Sequence, residues 1–286
     1  MRKPTCRTGR REVGGGSALR WKVAIRRQTR SEKSPTLAEE VHQIRVLAKK
    51  LRAYLRLLRG SVPEKLVQLE EKRIKRIAGN LGRARDEEIC RQILQWLAAK
   101  GDKEGCRQGV RAALVHFPDA AATGLDRRKL VQARKGIEAR RLRLLALLDE
   151  HPAQEGKLEE LLKKEYGKSR RGMRKALRDG SPEAFHQWRK RVKRLGYQTA
   201  MFCPSSRKRL ARLETKFLRL GSLLGRLHDL HVLKARIERR ATPLEPKLVP
   251  LVDDWTARYR KEAEQEGRRC FRTSKGKFLS LLQQSA

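Results

Sequence analysis

His42, Arg45, Lys49, Arg52 and Arg56 recur at steps of three and four residues within VHQIRVLAKKLRAYLRLL, the segment from Val41 to Leu58. An α-helix advances about 100° per residue, so these side chains fall within an arc of about 80° and form one cationic stripe. Val41, Ile44, Leu47, Ala48, Leu51, Leu55 and Leu58 fill an adjoining arc of about 140°, which leaves Lys50 on the far side. An ordinary solvated face sets charges of both signs opposite the apolar stripe, whereas here the cations lie at the edge of the core and no acid of the segment shares their seam. Arginine forks and lysine ammoniums spaced by about one helical turn, roughly 5 Å, suit an anion that repeats along its length, phosphate above all. The competing reading of the same residues is a basic face that meets only water.

The stripe has a second copy. FHQWRKRVKRLGYQTAMF, from Phe185 to Phe202, puts His186, Arg189 and Lys193 at the angular positions of His42, Arg45 and Lys49, with Lys190 and Arg194 beside them. Phe185, Trp188, Val192, Leu195, Thr199 and Phe202 form its apolar side. A further signature follows each helix: Leu81-Gly82-Arg83-Ala84-Arg85-Asp86 with Ile89 aligns with Leu224-Gly225-Arg226-Leu227-His228-Asp229 with Val232. Two motifs repeated at one period mark an internal duplication, whose halves are expected to pack about a pseudo-twofold axis with the two seams facing each other. Gly82 and Gly225 are expected at close helix crossings. Asp86 and Asp229 are read as ion-pair partners that fix helix register, or as groups that position ligand-binding arginines.

The rest of the chain reads as supporting helices. Residues 1–17 form a basic, glycine-rich tail expected to be disordered, and ALRWKVAIRRQTR, from 18 to 30, a basic helix. A helix is predicted from Glu64 to about Ala99 with Gly82 inside it, a loop from Gly101 to Leu125, and helices over Leu125–Leu148, Lys208–Arg240 and about Pro250–Leu282. Before the second cationic helix stands a segment ending at Gly180, with Ser181 as N-cap and Pro182 at the first helical position. Within that segment Lys168, Arg171, Lys175 and Arg178 share a face, a second wall of the same groove. No β-alternation of useful length occurs, so the fold class is all-α.

Composition narrows the partners. With 71 Lys and Arg against 32 Asp and Glu, the net charge of +39 calls for a polyanion. Aromatic residues make up only 5% of the chain, too few for a protein that reads single-stranded bases by stacking. Five cysteines, at 6, 90, 106, 203 and 270, show neither a C-x-x-C pair nor metal-ligand spacing with the six histidines, so a reducing compartment and no metal are expected. No apolar run approaches the roughly 18 residues that span a bilayer, and a cytoplasmic protein is expected.

The pattern H-x-x-R-V-x-x-K-K-L-R at His42, its partner H-x-x-R-K-x-V-K-R-L at His186 and the two L-G-x-x-x-D segments resemble the CHAD family, named for its histidine and α-helical domain. The resemblance covers residues 18–286, with repeats over about 18–150 and 151–286. It implies two four-helix bundles related by pseudo-symmetry and a basic central channel that binds inorganic polyphosphate, with no cofactor and with association with polyphosphate granules. Gly196 stands where the family's second helix usually has arginine, and Ala200 stands opposite Arg56, so a weaker grip by the second seam is expected. Three rival functions remain at this point. One is nonspecific binding of RNA or DNA at low salt by diffuse charge; another is phosphate-processing catalysis by His42 and His186, for which no carboxylate cluster stands beside either histidine; the third is a scaffold that binds acidic protein or ribosomal RNA.

Overall fold

The computed structural model describes residues 22, 23, 25, 36–100, 109–111, 113–117, 127–202, 208–239 and 245–283, the side chains of 82–86 and 245–247 apart. The first cationic helix, α1 (Leu37–Leu57), starts at a capping box: Thr36 Oγ1 accepts from Glu39 N at 3.3 Å, and Glu39 Oε2 accepts from Thr36 N at 2.8 Å. Two supporting helices follow, α2 (Glu64–Gly79) and α3 (Gly82–Lys100), and then α4 (Arg127–Glu150) and α5 (Glu155–Asp179). The second cationic helix, α6 (Pro182–Ala200), begins as expected at the Ser181 N-cap, after Gly180 has reversed the chain with φ +74°. The chain closes with α7 (Lys208–Arg239), α8 (Glu245–Cys270) and α9 (Lys275–Gln283). Among the described residues no strand forms, and no helix is long and apolar enough to cross a membrane.

Helices α5 to α8 pack successively against one another, with α9 laid on α5 and α7, while α1 packs on α2 and α4. The two groups meet where α1 crosses α6 and where α3 lies on α7. One continuous core runs through both, from Val41, Ala48 and Leu51 of α1 to Trp188, Val192 and Leu195 of α6. In the α1–α6 interface the buried Gln198 donates from Nε2 to the backbone oxygen of Ala53 at 2.9 Å. Trp96 of α3 meets Trp255 of α8 edge to face, 4.5 Å between centroids, and Tyr166 of α5 stacks on Phe278 of α9 at 4.4 Å while donating to Thr273 O at 2.7 Å.

Three expectations are corrected here. The helix predicted over Glu64 to about Ala99 is two helices, because Asn80 ends α2 and the chain turns to bury Leu81; Gly82 therefore opens α3 rather than lying inside a helix. The helix predicted over Pro250–Leu282 starts earlier, at Glu245, with Pro250 inside it, and breaks after Cys270. Ser274 there accepts from Lys277 N at 3.2 Å and so starts α9, a cap readable in the sequence. The stretch expected as a loop from Gly101 to Leu125 is helical at 109–111 and 113–114, where Val110 and Ala113 are buried. Gly167 and Gly172 leave α5 unbroken. Residues 1–17 and most of the 18–30 helix lie outside the described residues; Lys22, Val23 and Ile25 are helical.

Glycine also sets how closely α8 approaches α6. A Cβ on Gly267 would stand 2.7 Å from Trp188 Cη2 and 3.1 Å from Met173 Sδ. Trp188 is fully buried and cannot move aside without displacing its neighbours. Gly267→Ala is expected to destabilise the fold by about 1–3 kcal/mol, whereas Gly156→Ala, with nothing within 4 Å of its Cβ, is expected to change stability little or raise it. Denaturant titrations of the two variants check the contrast.

Candidate anion-binding groove

Helices α1 and α6 cross with their cationic stripes on the same side. Lys49 feels the charges of Lys193 and Arg189 across the crossing and of Arg45 on its own helix. Arg45 and Arg189 also lie within electrostatic reach of each other. Toward the C-terminal ends, Gln198 reaches Ala53 and the Lys50 ammonium lies 6.0 Å from the Tyr197 ring centre. The paired residues advance together along both helices, so α1 and α6 run parallel and residues at matching positions of the two stripes come side by side.

Lys49 shows what this proximity does. It is exposed to water, yet it stands among cations of its own helix and of α6. Burial first, and then the positive charges of Lys193, Arg189 and Arg45, push its ammonium down from 10.5 to about 8. Only Asp229 of α7 acts in the other direction. That carboxylate stands 4.0 Å from Arg189 Nη2, a loose ion pair, and Arg189 Nε is buried with no hydrogen-bond partner among the described residues. Arg45 is held from behind, donating from Nη1 to Ala78 O at 3.0 Å, a carbonyl in the last turn of α2 that lacks a helical donor.

Carboxylates from neighbouring helices correct the picture of an acid-free seam. Arg56 pairs through Nε with Glu71 of α2, which also accepts from Arg59 Nη2 at 3.2 Å. Arg194 lies 3.3 Å from Glu165 of α5, and Lys168 lies 2.8 Å from the same carboxyl. Arg52 is close to both Arg56 and Glu71. A single-helix wheel cannot reveal these acids because every one of them arrives from another helix. The stripe thus divides into a centre of Arg45, Lys49, Arg189 and Lys193 facing Asp229 and flanks where Arg56 and Arg194 already have partners.

The expected second wall lies on α5 and meets the stripe at Glu165, the carboxyl that Lys168 shares with Arg194. Lys168, Arg171 and Lys175 are exposed on α5, and Lys175 lines a separate cavity of about 160 Å³ with Gly172, Gln187, Trp188 and Arg191. Lys168 O accepts from Arg191 Nη1 at 3.2 Å, which ties this face of α5 to the flank of α6 turned away from Lys193. At Gly196 a Cβ would meet Leu218 Cδ2 of α7 at 3.1 Å, so any side chain there requires Leu218 to give way. Gly82 and Asp86 belong to the residues whose side chains are not described.

Gly221 and Gly225 lie one turn apart on α7 and form a track for the α6 cations. Their Cβ positions are 3.0 Å from Lys193 Cγ and 3.6 Å from Lys193 Nζ, and Gly225 is 3.8 Å from Arg189 Nε. Gly225 therefore makes space for the cations, a role beyond the helix crossing expected of it.

The histidines are not equivalent. His42 is exposed, whereas His186 is partly buried with Nδ1 3.1 Å from Nδ1 of His228, their rings 4.2 Å apart. One nitrogen must donate and the other accept, so the neutral pair shares a single proton between the rings. His228, on α7, is the groove residue missed from the sequence; its signal is that it replaces Arg85 of the first Leu-Gly signature. Burial, Arg189 and His186 push its imidazole down to about 3, and burial with Lys190 and Arg189 lowers His186 too. Cys90 and Cys270 are buried free thiols, and among the described residues no three His, Cys, Asp or Glu side chains gather as metal ligands.

A folded-state value near 3 for His228 against an unfolded value of about 6.5 means that the unfolded chain binds the extra proton first. The stability held by the neutral pair is complete above pH 6.5 and is lost as the pH falls toward 3. His228→Asn is expected to flatten part of that acid-side loss, and the His228 ring resonances of the wild type are expected not to titrate between pH 8 and 4. Two-dimensional NMR of the imidazoles and denaturant titrations across that range check both.

Neither the comparison with curated proteins nor the comparison with solved structures found a match. The comparison with protein families matches the CHAD domain over residues 23–238, a span that takes in α1, α6, the groove between them and the track on α7. The chain belongs to the CHAD domain family.

Proposed function

We propose that this protein holds inorganic polyphosphate along the α1–α6 groove and acts by binding it, without turnover. The observation that carries the reading is the cluster of Arg45, Lys49, Arg189 and Lys193, cations of two helices brought together at the edge of the core with Asp229 beside them. A linear chain of phosphates relieves that repulsion along its whole length and presents nothing but oxygen, which arginine forks and ammonium groups bind without reading a sequence. Family membership supports the same ligand. In this reading α1 and α6 are the two copies of a duplicated cationic helix, related by a pseudo-twofold axis between two four-helix bundles, and the polymer meets His42, Arg45 and Lys49 of one copy and His186, Arg189 and Lys193 of the other. Arg52, Arg56, Lys190 and Arg194 extend the track at its flanks; Lys168, Arg171 and Lys175 meet the polymer only where it leaves the groove. His186 and His228 serve as a neutral donor and acceptor rather than as acid and base.

Charge removal at the centre tests this. Lys49→Ala with Lys193→Ala is expected to weaken long-chain polyphosphate by about a hundredfold, on the order of 1.4 kcal/mol for each charge-assisted contact. Arg212→Ala with Lys216→Ala, exposed on α7, is expected to change it less than about threefold. Binding isotherms at physiological salt decide between them, and equal losses in the two variants contradict the reading.

Lys49 also predicts a pH signature. The bound polyanion favours the charged ammonium, while the free protein loses that proton above about 8. Affinity is expected to fall as the pH rises through 8 to 9, with proton uptake on binding, and Lys49→Arg is expected to remove both effects. Calorimetry in buffers of different ionisation enthalpy at pH 8.5 measures the uptake directly.

A further inference from the structure

Away from the groove, α2 and α4 form an open cavity of about 350 Å³ lined by Arg73, Arg76, Ile77, Gly136, Ala139 and Arg140. Small residues of α4 make it: a Cβ on Gly136 would stand 3.1 Å from Ile77 Cδ1, so the helices approach closely there. Ala139 adds no more than a methyl group to the lining.

The charge of the cavity is arranged by Glu70, whose residue is only 4% exposed. Arg140 Nη1 donates to Glu70 Oε1 at 3.1 Å and Oε2 at 3.0 Å, and Arg73 Nη1 donates to Oε1 at 2.8 Å. One buried carboxylate thus fixes guanidinium groups from two helices while neutralising a single charge, and it engages only one nitrogen of each fork. Arg76, one turn from Arg73, is exposed and makes no ion pair among the described residues. Three guanidinium groups therefore converge on one cavity against one carboxylate.

We propose that this cavity is a second anion site, for a compact phosphorylated molecule with one or two phosphoryl groups, distinct from the polymer in the groove. Its volume lies at the small end of the range for small-molecule pockets, roughly 300–1,000 Å³. Arg73 and Arg140, from two helices, are both held on Glu70 with Arg76 one turn away, so the three match a compact phosphoryl group at the junction of the helices rather than a chain laid along one of them. Ile77 and Ala139 supply an apolar wall for the rest of the molecule. Arg73 and Arg140 are oriented before any ligand arrives, which lowers the entropy lost on binding.

The test uses inorganic pyrophosphate titrated calorimetrically into the full chain carrying Lys49→Ala and Lys193→Ala, so that the groove contributes little. One site is expected to remain. Adding Arg76→Gln or Ala139→Leu is expected to weaken it at least about tenfold. The second change leaves every charge in place and only fills the cavity, and both positions are exposed on their helices, so circular dichroism is expected to be unchanged. Absence of pyrophosphate binding, or undiminished binding with Ala139→Leu, overturns the proposal. Long-chain polyphosphate is titrated into Arg76→Gln alone as a further arm. Unchanged affinity is expected, and a tenfold loss would show the cavity holding an end of the same polymer, which overturns a separate ligand.

Discussion

Repulsion between like charges at the α1–α6 crossing is the constraint on which the arrangement depends. Arg45, Lys49, Arg189 and Lys193 crowd one seam, and burial together with that repulsion lowers the Lys49 ammonium to about 8. Apolar packing on the other side of both helices holds them there: Ala48 and Leu51 of α1 and Trp188, Val192 and Leu195 of α6 belong to one continuous core. The buried Gln198 adds a directional bond across the same interface. Packing thus holds together what electrostatics alone would disperse, and the net charge of +39 offers no relief from elsewhere in the chain.

The supporting helices then act as a charge-setting frame. Glu71 and Glu165 quiet the flanks by pairing with Arg56 and Arg194, while at the centre Asp229 stands 4.0 Å from Arg189. Such grading gathers positive charge where the stripes of α1 and α6 meet. Gly221 and Gly225 keep α7 from crowding the stems of Lys193 and Arg189. The pairing of His186 with His228 keeps two imidazoles neutral beside these cations, because a further proton there would add to the repulsion.

Much of this was legible in the residues. The 3.6-residue period gave the helices, Ser181 and Pro182 gave the start of α6, and the repeated stripe pointed to α1 and α6 as the pair that matters. What escaped has a common cause, since periodicity describes one helix at a time. The acids of the seam come from α2, α5 and α7, and His228 enters from α7; none lies within the segment whose wheel defines the stripe. The same limit placed Lys168, Arg171 and Lys175 on a shared face, correctly, without showing that the face turns toward the flank of α6 occupied by Arg191. Helix breaks at Asn80 and after Cys270 were hidden because Leu81 and Phe271 continue the apolar pattern through the turns, and it is their burial that bends the chain.

A groove formed by two helices discriminates among polyanions by width as well as charge. A single phosphate chain can lie along α1 and α6 and touch both, whereas duplex DNA, about 20 Å across, meets only the outer charge and depends on counterion release. Competition between long-chain polyphosphate and duplex DNA at equal phosphate, followed over rising salt, measures that difference directly. Retention of polyphosphate at salt concentrations that release DNA is expected; DNA that persists after polyphosphate has dissociated would contradict a built groove and leave only a diffuse basic surface.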